Sequence, residues 1–542
     1  MPDSVLELNA VPNNSGGFSV TEVVGSRSEV EEGHPQRRLI LAAMATSLVL
    51  IVAGVSSLNL ALPSIRDALA ASNTELLWIV DSYGLVFAGL LLPAGAFGDR
   101  YGRKEALVGG LVILFGGALL ATLATTPVVL IGARSVMGIG AALIMPATLS
   151  ILTVVFPPSE RAKAIAVWVG FAGAGGALGI LAGGILLDFF WWGSVFFINV
   201  PIAIVVLIAV VRIVPTSRDE EQRPLDIGGS LLSIAGLGIL LFGIIEGPER
   251  GWTDAIVLSL FGAAAVLILL FIWWELRAKA PMLDPRYFKD RNFTLGSLAI
   301  TASFLAMFGF FLLVTLYLQF AQGHSPLGAA VRTIPFAFVM VAIAPRSPAL
   351  ASRFGPRVTV VGGMLMLAAG LVGMSFLAVA SPYWHLLTWL IILSAGMAIL
   401  MPPSTTAIVS SLPQSKAGVG SAVNDTTREV GGAIGIALLG SLVSVGYRAG
   451  IDDAVIGLPP ELAEAASDSI GAALGIAGQI GGEPGLALAA AAGRAFTDGI
   501  GLAFLVGAGI IVAAATVIAV FHPRDDGSEA RSDRSQLESS GG

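Results

Sequence analysis

The chain contains no cysteine. Disulfides, thiol nucleophiles and cysteine-ligated metals are therefore excluded. Four histidines are too few for a dedicated metal centre. Charge is also scarce, with Asp, Glu, Lys and Arg making up 12% of 542 residues. The net charge of −7 is spread over tails and loops and forms no basic face, which argues against nucleic acid as a partner. No G-x-x-x-x-G-K-[ST] stretch occurs, so ATP hydrolysis within the chain is not expected. No nucleotide, metal or other cofactor motif is visible, and no cofactor is expected. The first residues, to about Gln36, lack the basic start and short apolar core of a cleaved signal peptide.

What fills the chain instead is apolar sequence. Apolar residues account for 55% of it, and the mean hydropathy is +0.85. Runs of about 20 apolar residues recur, the length needed to cross a bilayer as a helix. Fourteen such runs can be counted. Glycine, at 66 residues, suits close helix packing in lipid. Most Lys and Arg residues fall on one side of the alternating loops, the side that also holds both termini. The positive-inside rule places that side in the cytoplasm. These features predict an all-α, polytopic protein in the lipid bilayer.

The second run, Trp78 to Lys104, combines the most informative residues. Asp81 and Asp99 lie about 27 Å apart along a helix, close to the roughly 30 Å of a hydrocarbon core. Asp99 therefore sits at one membrane face, with Asp81 inside the opposite part of the span. An acid at a helix C-terminus opposes the helix dipole, so Asp99 requires a cation or a helix N-terminus beside it. Gly102 permits a tight turn, and Arg100, Arg103 and Lys104 follow the inside bias. Further intramembrane charges are Arg134, Asp425, Arg428 and Glu429. Charges at such positions are costly and are functional candidates by default. Asp425 and Glu429 share a helix face, which fits proton handling or cation binding. Arg428 between them leaves a structural ion pair open. Arg134 fits either proton transfer or a structural bond to backbone carbonyls. Trp78, Tyr83, Trp168, Phe171, Phe308, Phe311 and Tyr317 are aromatic candidates for a cavity wall that stacks on a lipophilic cation. Most membrane aromatics are packing or interface residues.

The loop Gly95-Ala-Phe-Gly-Asp99-Arg100-Tyr-Gly102-Arg103-Lys104 resembles the signature loop of the major facilitator superfamily, with Phe97 in place of the usual Leu. Arg134-Ser-Val-Met-Gly138-Ile-Gly140 resembles its fourth-helix motif. Gly175-Gly-Ala-Leu-Gly179-Ile180-Leu-Ala-Gly183-Gly184 resembles the antiporter motif of the fifth helix, with Ile180 where proline is usual. Asn59-Leu-Ala-Leu-Pro63, Ile198-Asn-Val-Pro201 and Pro281-Met-Leu-Asp284 are similar to motifs of the fourteen-span drug:proton antiporter branch. Within it, Trp78-Ile-Val-Asp81 and the run Gly140 to Pro146 resemble quaternary ammonium compound resistance proteins. Tyr317 and Gln319 match the end of the ninth helix. Relatives often carry acids where this chain has Gly54 and Met340.

The resemblance implies a major facilitator fold of two six-helix bundles plus two extra transmembrane helices. The expected domains are a disordered cytoplasmic tail (1–38) and an N-terminal bundle (39–211), then a linker (212–227) and the extra pair (228–275). A C-terminal bundle (276–521) follows, with an extracellular hairpin (447–497) of two short amphipathic helices, and a cytoplasmic tail (522–542) closes the chain. Leu350–Arg357 (LASRFGPR) weakly echoes Gly98–Arg103, as a duplicated transporter would. The implied function is proton-coupled export of lipophilic, cationic toxic compounds by a monomer in the bacterial inner membrane, with both termini cytoplasmic. Asp81, Asp425, Glu429 and Arg134 would serve coupling or cation binding. Gly95 to Lys104 would form a gating loop. Export of a metabolite, lipid or antibiotic by the same fold is the alternative; a membrane enzyme or a channel is more remote.

Overall fold

A computed structural model describes residues 10–12, 18–20, 33–219 and 224–522 of the chain. The remaining residues of both tails, and 220–223 of the linker, lie outside the described residues. Within the N-terminal tail, strand β1 (Ala10–Pro12) pairs antiparallel with β2 (Phe18–Val20), with Val11 opposite Ser19. Among the described residues, fourteen helices are long and apolar enough to cross a membrane. They are called spans 1 to 14 in chain order.

Local chemistry explains where these helices start and stop. Ser72 and Glu75 form a reciprocal capping box at the head of span 2 (Thr74–Tyr101). Thr126 caps span 4 (Pro127–Val155), and Asp226 caps span 7 (Ile227–Pro248) by accepting from Gly229 N at 2.8 Å. Span 2 ends at Gly102, whose φ of 125° suits only glycine, and span 3 (Arg103–Thr122) starts directly after it. Gly355, at φ 83°, makes the same join between spans 10 (Pro326–Phe354) and 11 (Pro356–Met374). The sequence echo between the two halves thus has a backbone counterpart. Span 4 runs on through Pro146, and span 12 (Tyr383–Ser410) through Pro402 and Pro403.

The first bundle seats span 5 (Pro158–Phe189) on span 1 (Arg37–Leu58) through three antiporter-motif glycines. A Cβ on Gly175 would lie 3.0 Å from the Val52 Cβ, and one on Gly183 would lie 3.0 Å from the Ser57 Cβ. Gly179 faces the Ala53 backbone even more closely. Gly184 turns instead to Leu327 at the head of span 10. In the second bundle, span 9 (Arg291–Ala321) packs on span 13 (Gln414–Ala454), and span 11 on spans 12 and 14 (Gly482–Phe521). The two bundles meet where span 2 touches span 13 and span 5 touches span 10.

The extra pair is asymmetric. Span 7 packs against both span 2 and span 13. Span 8 (Ala255–Glu275) packs chiefly on span 7, and only 11% of its most apolar stretch is buried. Span 7 therefore lies over the seam between the bundles, and span 8 faces lipid.

The stretch between spans 13 and 14 differs from the two-helix expectation. Helices Pro460–Asp468 and Ile470–Ile480 form, but 485–496 is continuous with span 14 in one 40-residue helix. The reason is local. The last break before span 14 is the turn at Gly481 and Gly482, both at positive φ, and the Ala/Leu-rich sequence from Gly485 to Phe496 contains no proline to stop the helix. Forty residues extend about 60 Å, roughly twice a hydrocarbon core, so this helix projects well beyond the bilayer. Tyr447 Oη donates to Ala466 O at 2.9 Å and ties the short helix Pro460–Asp468 to span 13.

Candidate functional site

Three groups of polar side chains stand out, each built on span 2 or span 13. The first closes one end of the bundle. Asp99 is 5% exposed and accepts from Arg103 Nε and Nη2 at 3.1 and 2.9 Å. It also accepts from Gly418 N at 2.9 Å and Val419 N at 3.0 Å. Those N–H groups belong to the first turn of the helix Ala417–Ile451, where unpaired donors and the positive dipole end favour an anion. The acid therefore has both a cation and a helix N-terminus as partners, the latter from the opposite bundle. Arg103 reinforces the closure by donating to Gln414 O at 2.6 Å. Gly95 makes the contact possible: a Cβ there would lie 2.5 Å from Gly418 O. The linker adds a strap, because Asp219 N donates to Asp99 O at 2.7 Å and Arg103 N to Ser217 O at 2.9 Å. Lys104 donates to Val211 O at the end of span 6 (Ser194–Ile213), and Arg100 lies over the Tyr101 ring. Gly102 supplies the turn.

The second group lies inside the protein, between the bundles. Arg134 is 1% exposed, donates from Nε to Ile79 O at 3.1 Å, and places its guanidinium 4.3 Å from the Tyr83 ring centre. Tyr83 lies within electrostatic reach of both Arg134 and Glu429, so the group crosses from spans 2 and 4 to span 13. On span 13, Asp425 is fully buried. Its Oδ1 accepts from Asn424 Nδ2 at 3.1 Å and faces Arg428 Nη1 at a long 3.5 Å. Asn424 is held in turn by Thr405 at 3.1 Å. Arg428 lies over the Phe304 ring at 4.6 Å and the Trp168 ring at 5.8 Å. Asp425 Oδ2, Arg428 Nε, Tyr83 Oη and Arg134 Nη1 have no hydrogen-bond partner among the described residues. A buried charge so incompletely paired is stabilised by gaining a proton, a cation or a polar cargo group.

The third group is where the structure sets Asp81. A cavity of about 260 Å³ lies between spans 2 and 7, at the end away from the Asp99 loop. Leu77, Trp78 and Asp81 line it from span 2, and Phe242, Glu246 and Arg250 from the span 7 helix. The structure thus brings Asp425, Glu429 and Arg134 together with Tyr83, and puts Asp81 and Trp78 elsewhere. Trp168 is buried beneath Arg428, while Phe171 is partly exposed on span 5. Phe311 packs edge-on to Phe336 within an aromatic group of the second bundle. Tyr317 donates to Ala378 O and so braces the end of span 9. Gly54 faces Asn199 of span 6, and Met340 packs on Gly170 and Gly173.

Sequence reasoning did not single out Phe304, Thr405, Phe242, Glu246 or the linker strap. Glu246 and Arg250, four apart at the end of an apolar run, were a readable ion pair. The strap uses backbone atoms and leaves no residue signal.

Two helix bundles meeting around a buried polar group, with a cross-bundle contact at one end, are the architecture of a membrane transporter. The chain belongs to the Major Facilitator Superfamily, whose family model matches residues 44–436. It is 34% identical over 487 residues to the multidrug efflux pump LfrA of Mycolicibacterium smegmatis, covering 89% of this chain and 95% of that one. It is also 34% identical over 462 residues to the methyl viologen resistance protein SmvA of Salmonella typhimurium, covering 84% and 92%. The fold is similar to that of the human organic anion transporter MFSD10, with a TM-score of 0.58 at 14% identity, over 90% of this chain and all of that one.

Proposed function

We propose that this chain is a multidrug efflux antiporter of the bacterial plasma membrane, exporting lipophilic cationic compounds in exchange for protons. Both termini lie in the cytoplasm in this reading, so the Asp99 loop closes the cytoplasmic end. The chain works as a monomer, because each half of the site comes from one of its own bundles. The observation that carries the reading is Asp425, fully buried, with one carboxylate oxygen unpartnered and Arg428 at a long distance. Trp168 and Phe304, which lie under the Arg428 guanidinium, would offer flat apolar faces to an aromatic cation that displaces it. The name of LfrA supports multidrug efflux, and that of SmvA supports the cationic substrate class, since methyl viologen is an aromatic dication.

A working cycle follows. With the cytoplasmic end open, ionised Asp425 and Glu429 attract the cation. Closure through Asp99 and the head of span 13 turns the site outward. A proton arriving from outside neutralises Asp425, weakens the hold on the cation and releases the cargo. Reopening delivers the proton to the cytoplasm. Everted vesicles test this directly. Ethidium added to energised vesicles should collapse a preformed pH gradient, and Asp425→Asn should abolish the collapse. An Asp425→Asn protein that exchanges ethidium for protons at the wild-type rate would remove Asp425 from the mechanism. Movement of a neutral metabolite but of no cationic dye would overturn the substrate class.

A further inference from the structure

The cavity between spans 2 and 7 shares no lining residue with the Asp425 group. It sits at the outer end of span 2, with Asp81 about 10 Å along the helix from Thr74. Its chemistry is that of a cation site. Trp78 and Phe242 stack with ring centres 5.9 Å apart and form an aromatic wall. Asp81 and Glu246 bring two carboxylates against one guanidinium, Arg250, so the lining carries a net negative charge. Arg250 pairs with Glu246 along the same helix, and its side chain is 49% exposed. An ion pair that open to solvent contributes little, so an incoming cation can displace the guanidinium cheaply. Released cargo leaves the carboxylates to Arg250 again. The cavity also lies at the end of span 2 opposite the cross-bundle closure. The cytoplasmic closure at Asp99 lies at the far end of span 2, so cargo leaving the centre in this conformation moves towards Asp81.

We propose that the cavity between spans 2 and 7 is a second binding site, an outer release site for aromatic organic cations. Asp81 and Glu246 supply charge, and Trp78 and Phe242 supply the stacking faces. The proposal rests on the export of organic cations proposed above and deepens it. It gives the first extra helix a part in cargo handling, through Phe242 and Glu246. It separates Asp81 from the proton-coupling group. Arg250 becomes a tethered competitor that keeps the site weak, as release demands.

The natural absence of cysteine makes the test clean. Leu77→Cys places the only thiol of the chain on the cavity wall. Full-length Leu77→Cys protein in lipid nanodiscs is labelled with a fluorescent maleimide, with and without ethidium. Ethidium should slow labelling, and Glu246→Gln in the same background should raise the ethidium needed about fivefold. Asp425→Asn in that background should leave the protection unchanged. Leu123→Cys, exposed between spans 3 and 4, should label at one rate throughout. The proposal is overturned if ethidium leaves the Leu77→Cys rate unaltered, or slows Leu123→Cys equally. Loss of protection in Asp425→Asn also overturns it, because one site then explains both effects. Ethidium flux by the wild type in everted vesicles, measured in parallel, tests the export reading independently.

Discussion

Replacing Asp99 by Asn should shift the transporter out of its closed-loop conformation by at least tenfold. The side chain keeps its size but loses its charge and one acceptor. In the structure Oδ1 accepts from Gly418 N and Oδ2 from Val419 N, both across the bundle interface. An amide offers one oxygen, so its NH₂ group must oppose one of these N–H donors. The bonds to Arg103 lie within the first bundle and persist when the bundles part, so they cancel from the conformational equilibrium. Only the cross-bundle bonds count. Hydrogen bonds to a charged acceptor contribute about 1.5–3 kcal/mol each. Losing one changes the ratio of conformers by about tenfold to 150-fold. The helix-dipole contribution adds to this in the same direction. Spin labels on Tyr101→Cys and Ser415→Cys, both exposed sites flanking the contact, report the separation by pulsed dipolar spectroscopy. The short-distance population should collapse in Asp99→Asn. A distance distribution that superimposes on that of the unaltered transporter would refute the assignment of Asp99 as the closing contact.

Gly95→Ala should act in the same direction, since its Cβ would meet Gly418 O at 2.5 Å and the Ala422 Cβ at 2.8 Å. Overpacking of about 1–3 kcal/mol is expected in the closed form, read with the same spin pair, while Gly84→Ala, which meets nothing within 4 Å, should change neither distance nor transport. Gly179→Leu should prevent span 5 from seating on span 1, seen as loss of the monodisperse peak in size-exclusion chromatography, with Gly116→Ala as the unaffected control. Joining Leu77→Cys to Ile245→Cys with a short bifunctional thiol reagent should lock span 7 to span 2 and stop dye efflux, whereas each single variant treated alike should keep it.

Much of this architecture was legible in the residues because the bilayer permits so little. A chain with no partner for its backbone in lipid must fold as helices, so fourteen apolar runs became fourteen spans. The Asp99 loop was legible for another reason: an acid at a helix C-terminus is anomalous, and the anomaly pointed to a missing partner. What the sequence could not identify was that partner, because Gly418 and Val419 contribute only backbone N–H groups. The central group was half legible. Arg134, Asp425 and Glu429 were visible as intramembrane charges. Their joining through Tyr83, and the seat of Arg428 on Phe304, depend on helix rotation that hydropathy does not encode. Asp81 shows the limit most clearly. Asp81 and Tyr83 lie two positions apart on one helix and so point to different faces. One faces span 7 and the other Arg134, and only packing decides which acid meets which site.

The extra helices have a mechanical consequence of their own. Span 7 touches span 2 through Trp78 on Phe242, and Ala88 beside Leu241 and Ile244. It also meets span 13 through Ala437, and Trp252 beyond it donates to Ser441 Oγ at 3.2 Å. A helix lying on both sides of a seam cannot follow both bundles as they rock. Its fastening decides which it follows. At the loop end, Trp274 of span 8 donates to both oxygens of Asp226 at the head of span 7. Glu275 of span 8 accepts from Leu283 N, and Lys416 at the head of span 13 donates to Pro281 O. These polar ties join the pair to the second bundle, while the outer contacts with span 2 are largely apolar surfaces able to slide. Span 7 should therefore travel with the second bundle and part from span 2, where the Asp81 cavity lies. The same motion that moves span 13 from Asp99 would then reshape the Asp81 cavity, linking the two ends of span 2 without any residue common to them.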